Sequence, residues 1–110
     1  MIFRRKLRYV LVEASDDVSM ADPRNADALR AGTKAFLGEL TYFKANPQIT
    51  AQLENRFFVI GVNRGYERSV VLALSFIKEL DGRRVGFYTL KTSGTIRSLK
   101  DYFAGIRGAR

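Results

Sequence analysis

Cysteine and histidine are both missing from the 110 residues, and each absence removes a class of chemistry. Without Cys the chain has neither disulfides nor thiolate metal ligands, which fits a reducing compartment. Without His it lacks the side chain that most often does acid–base work near neutral pH and serves as the base of nucleophilic triads, so an independent catalytic role recedes. Also absent is any apolar run of about 18 residues, the length that crosses a bilayer as a helix. The opening MIFRRKLRYV has neither the long apolar stretch nor the small-residue cleavage site of a secretory signal. A soluble, cytoplasmic protein is expected. No repeat at solenoid spacing and no low-complexity tract interrupts the chain. Its length and 46% hydrophobic content suit one domain around one core over residues 1–110, with 1–6 a basic arm and 104–110 a flexible tail.

Positive charge is abundant and unevenly placed. Of the net +8, residues 1–8 hold four bases and no acid, residues 9–82 hold eight bases and ten acids, and residues 83–110 hold seven bases and one acid, Asp101. If the first strand and the last strand–helix unit lie together, their charge merges into the kind of surface that meets a phosphate backbone. Basic termini can also serve solubility alone.

The chain alternates elements with short connections. A strand is predicted over about Leu7–Glu13, with Leu7, Tyr9 and Leu11 on one side and Arg8, Val10 and Val12 on the other, so that both faces carry apolar groups. After the loop SDDVSMAD, Asp22 fits an N-cap with Pro23 in the first turn. From there Leu29, Gly32, Phe36, Leu40 and Phe43 recur at helical steps as one buried stripe, ended by Asn46-Pro47. Strands over Ile49–Glu54 and Phe57–Val62 flank a tight Asn55-Arg56 reversal. A second helix is predicted over Tyr66–Leu80, with Asn63 as its cap and Asp81-Gly82 closing it, followed by a strand over Arg84–Leu90 and a third helix from Gly94 to Phe103. The order β-α-β-β-α-β specifies an α+β ferredoxin-like plait: a four-stranded antiparallel sheet with helices on one face and an extra C-terminal helix.

Several sites compete for a functional role. RNA-recognition modules of this topology stack bases on aromatic residues of the open sheet face, but the third strand here, RFFVIGVN, is largely aliphatic and lacks their signature. Such an apolar face needs a cover. Tyr9, Leu11, Phe58 and Ile60 are candidate contacts for a protein partner, and Ile96, Leu99 and Phe103 of the last helix offer closure within the monomer. In TSGTIRSLK, Ser93 is placed to cap a helix whose first N–H groups attract anions, with Thr95 adding a hydroxyl and Arg97 and Lys100 sharing one side. The candidate contacts for a phosphate backbone, RNA if the resemblance below holds, are Arg4, Arg5, Lys6, Arg8, Arg83, Arg84, Lys91, Ser93, Gly94, Thr95, Arg97 and Lys100. Glu13, Asp16, Asp17 and Asp22 are the one carboxylate-rich stretch that suggests Mg²⁺, but their spacing equally describes a solvated loop before a capped helix, and no metal site is assigned. Acylphosphatases share the plait but need an arginine in the loop after the first strand, where this chain reads ASDDVS.

The segments VNRGYERSVVLALSFIKELDGRRV and TSGTIRSLK, with RRKLRYVLVEA more weakly, resemble ribonuclease P protein component 2 of archaea and eukaryotes. The resemblance implies the plait fold and a place in an enzyme whose catalyst is RNA: the holoenzyme removes 5′ leaders from precursor tRNA, and the protein supplies no catalytic residue. It implies as partners the ribonuclease P RNA and other protein subunits, in a homodimer or heterotetramer, with Mg²⁺ used by the RNA and no cofactor bound by the chain. Asn63 and Arg64, Leu80 to Val85, and Thr92 to Lys100 match the family's pattern. The Asn55-Arg56 turn looks shorter than the family's, and GFYTLK more aromatic. The alternative is a noncatalytic plait that only joins proteins.

Overall fold

The structure, a computed structural model, describes residues 6–108. Four strands, β1 (Leu7–Ala14), β2 (Gln48–Glu54), β3 (Phe57–Asn63) and β6 (Phe87–Ser93), form an antiparallel sheet in the order β2-β3-β1-β6. Helices α1 (Pro23–Leu37), α2 (Glu39–Ala45) and α3 (Glu67–Phe76) fall between them, a two-stranded ribbon of β4 (Glu79–Leu80) and β5 (Arg83–Arg84) precedes β6, and α4 (Ile96–Gly108) ends the described chain. The topology is that of the expected plait.

Both faces of the sheet are buried at its centre, which explains why Tyr9–Val12 of β1 and Phe57–Val62 of β3 are apolar on both sides. Val10, Val12, Phe58, Ile60 and Val62 point towards the helical layer and pack with Leu29, Val70 and Leu74. On the other face Leu11 and Val59, paired across the β1–β3 ladder, pack under Leu99 of α4, with Tyr9, Leu53, Tyr102 and Phe103 around them. The last helix thus closes the second face from within.

That arrangement corrects the expected protein interface. Leu11, Phe58 and Ile60 are interior residues, and the four candidates do not share a surface: Tyr9 and Leu11 meet α4, whereas Phe58 and Ile60 meet the helical layer. The exposed apolar groups are elsewhere. The predicted long helix after Pro23 breaks at Gly38, whose φ of 82° and ψ of 161° belong to a region essentially reserved for glycine. The break turns α2 away, so the expected buried stripe stops short: Leu40 is 67% and Phe43 80% exposed, and Phe36 stacks on Phe76 at 5.0 Å, with both rings partly in water.

Further boundaries differ from expectation. Helix α3 ends at Phe76 rather than Leu80, because Asp81 (φ 50°) and Gly82 (φ 82°) make a two-residue hairpin turn, so that Glu79 and Leu80 pair with Arg84 and Arg83. The final strand consequently starts at Phe87 and extends through Ser93, which delays α4 to Ile96. At the other end α4 continues through residues 104–108, where a flexible tail was expected.

Candidate nucleic-acid interface

The antiparallel order brings three distant segments to one end of the sheet: the start of β1, the end of β3 and the end of β6. Lys6 and Arg8 come from the first, Arg64 from the second and Gly94 from the third, and together with Leu7 they line a shallow pocket of about 360 Å³. The Arg64 amide donates to the Lys6 carbonyl at 2.8 Å, which extends the β1–β3 ladder by one step and fixes two cations side by side. Beneath Arg8 the backbone is bare: a β-carbon at Gly94 would lie 3.7 Å from Arg8 Nη1. The Arg8 Nε is buried and has no hydrogen-bond partner among the described residues.

Beyond Gly94 the chain enters α4. Thr95, not Ser93, caps it: the Ser98 amide donates to Thr95 Oγ1 at 3.2 Å, while Ser93 Oγ accepts from the Thr95 amide in the preceding turn at 3.3 Å. Arg97 and Lys100 are exposed one turn apart on this helix. Lys91, on β6, sets its ammonium over the Tyr102 ring of α4, 4.8 Å from the centroid, which ties strand and helix together through a cation–π contact. Lys6, Arg8, Ser93, Gly94 and Thr95 therefore meet at one sheet end, Arg97 and Lys100 continue from it along α4, and Lys91 stands on β6 opposite Leu11.

The other predicted contacts are not part of this group. Arg83 and Arg84 lie in the β4–β5 ribbon, which joins the opposite end of the sheet. Arg83 spends its donors internally, reaching Asp16 Oδ2 and the Asp17 carbonyl, each at 3.0 Å. An arginine thus does reach the loop after β1, yet it arrives neutralised by a carboxylate, and Asn63, the asparagine weighed for the second residue that acylphosphatases need, stands at the far end of the sheet beside Leu7. This arrangement offers no acylphosphatase-like phosphate cradle. The acids of the loop are shared out: Glu13 faces Arg56 at 3.5 Å, Asp16 takes Arg83, and Asp22 accepts from the Arg24 amide at 3.0 Å as the α1 cap. Asp16 is held below the ordinary carboxylate range, first by the Asp17 amide and then by Arg83. Arg4 and Arg5 lie outside the described residues.

Arg64 is not among the candidate RNA contacts, although the family resemblance singles it out with Asn63 as a position of RNA-backbone support. Its signal was positional: the residue that follows an interior strand emerges at the end where that strand's neighbour begins. Asn63, expected as the cap of α3, instead donates from Nδ2 to the Lys44 carbonyl at 2.8 Å and so closes α2. The cap position of α3 falls to Tyr66, without a side-chain hydrogen bond.

Residues 8–104 match the model of the Rpp14/Pop5 family. Among curated proteins the chain is 30% identical over 100 residues to ribonuclease P protein component 2 of Methanocorpusculum labreanum, covering 88% of this chain and 65% of that protein. It is 29% identical over 105 residues to the protein of the same name from Methanoculleus marisnigri, covering 94% and 65%. The chain thus spans just under two thirds of the length of these relatives. A chain in the cryo-electron microscopy structure of yeast ribonuclease MRP superposes with a TM-score of 0.53 at 12% identity, over 99% of this chain and 97% of that one, a likeness of fold.

Proposed function

The chain belongs to the Rpp14/Pop5 family, and from that premise we propose that it is a protein subunit of ribonuclease P, assisting the catalytic RNA in removing 5′ leaders from precursor tRNA. The observation that carries this reading is the convergence of Lys6, Arg8 and Arg64 on one pocket, none of them within ion-pair distance of a carboxylate among the described residues, beside the basic side of α4. Unpaired cations held on a rigid sheet end are suited to phosphate groups, and they neutralise charge where folded RNA otherwise needs Mg²⁺. The chemistry is assigned to the RNA and its Mg²⁺; the protein contributes position and charge, binds no cofactor and supplies no catalytic side chain. Base stacking on the central strands has no place in the reading, since α4 covers Leu11 and Val59.

A second partner class is favoured by the helical side. Phe36, Leu40, Phe43 and Phe76 expose apolar surface that water alone serves poorly, which suits contact with another protein subunit or a second copy. Cytoplasmic localisation belongs to the same reading.

The test is 5′ cleavage of a precursor tRNA by the cognate ribonuclease P RNA at low Mg²⁺, with the other protein subunits present and this chain included or omitted. Omission raises the Mg²⁺ required. Cleavage indifferent to the chain, with protein–protein binding intact, would leave a module that only joins proteins.

A further inference from the structure

We propose that the pocket at the β1–β3–β6 end holds one backbone phosphate of the RNA, and that Arg8 grips it by the shape of its guanidinium as well as by charge; this rests on the ribonuclease P subunit reading above. Arg30, Lys34, Arg56, Arg83 and Arg107 each face a carboxylate within 4 Å, and cations such as Arg97 and Lys100 have no such partner among the described residues, so what marks the pocket is that its cations converge. At the pocket three cations converge and no acid lines the wall. Like charges held together repel, so the empty pocket is the less stable form and an anion relieves it.

Arg8 adds directionality to that charge. Its Nε–H is buried without a partner among the described residues, so the two Nη groups are the donors left for a ligand in the pocket. Its guanidinium lies against the bare backbone of Gly94, so the fork is positioned before any ligand arrives. A fork of parallel N–H groups matches two oxygens of one phosphate, which a lysine ammonium cannot reproduce. Arg64, tied to Lys6 through the backbone, closes the opposite wall.

The experiment measures binding of the full chain to fluorescein-labelled ribonuclease P RNA across a salt series, for wild type, Arg8→Ala, Arg8→Lys and Arg64→Ala. Arg8→Lys is expected to weaken binding about as much as Arg8→Ala, by about tenfold or more. Arg64→Ala, at an exposed position where folding is not at stake, lowers the salt slope by about one. If Arg8→Lys binds like wild type, the pocket senses charge alone and the proposal falls while the RNA reading stands. If wild type shows no salt-sensitive RNA binding, the subunit reading itself falls. Inorganic phosphate and RNA with its 5′ phosphate removed form the remaining arms. Loss of the Arg8 effect on 5′ dephosphorylation, or displacement by millimolar phosphate, would assign the pocket to a terminal or free phosphate and overturn the backbone assignment.

Discussion

The ring of Phe103 lies 4.8 Å from that of Phe57 at an interplanar angle of 55°, and this contact fastens the C-terminal half of α4 to the sheet. Leu99, one turn earlier, is fully buried against Leu11 and Val59. Together they decide between the two covers the sequence allowed for this face. Closure is intramolecular.

Leu99→Ala should therefore act as a core deletion although it sits in the last helix. A cost of about 3 kcal/mol is expected, within the range of buried leucine truncations. Denaturant unfolding measures it, and amide exchange along α4 reports whether the helix detaches. A loss below about 0.5 kcal/mol would mean that α4 is not seated on the sheet.

Gly38→Ala tests the break between α1 and α2. Nothing lies within 4 Å of the added methyl, so any cost comes from the backbone conformation alone. About 1–3 kcal/mol is expected. A neutral result would show that α1 and α2 can run on as one helix, as the spacing of Phe36, Leu40 and Phe43 suggested.

That spacing shows where reading from sequence ran out. The strands were legible because β1 and β3 are buried on both faces, and Asp22-Pro23 marked a helix start that side-chain hydrogen bonding bears out. Helical periodicity across Gly32–Phe43 was equally clear but misleading, since the non-helical φ and ψ of Gly38 rotate Leu40 and Phe43 into solvent and periodicity carries no information about torsions. Asp81-Gly82 was read as a helix end; the same dipeptide is also a hairpin turn, and the pairing of Leu80 with Arg83 settles which. At the candidate site, block counting of charge pointed to one merged surface if the first strand and the last strand–helix unit met, and they do meet where Arg8 stands against Gly94. It missed Arg64, which lies inside the acidic middle block, and it credited Arg83, whose charge Asp16 offsets.

The Asp16–Arg83 link has a pH signature. Asp16 is depressed in the folded state by the Asp17 amide and then by Arg83, so it adds stability above its unfolded pKa, and that contribution is lost as pH falls through the lower folded value. Acid titration of stability from about pH 5 downwards should thus be less steep in Asp16→Asn than in wild type. The pair is exposed, so the difference is small. Identical acid limbs would indicate that Asp16 does not sense its neighbours.

Arg97 and Arg83 offer a matched comparison, because both are exposed cations but only Arg83 has a carboxylate partner among the described residues. If RNA reads the basic side of α4, Arg97→Ala and Lys100→Ala should each reduce the slope of log affinity against log salt by about 0.7–0.9, the value of one lost phosphate contact. Arg83→Ala should leave the slope unchanged, since the charge it removes is already offset within the fold, and should cost at most about 1 kcal/mol of stability. Anisotropy titrations against ribonuclease P RNA at four or more salt concentrations separate the three variants. Equal slopes for Arg83→Ala and Arg97→Ala would mean that net charge, wherever it sits, governs binding. Different slopes would assign the contact to α4, whose first turn leaves the end of the sheet where Lys6, Arg8 and Arg64 already stand.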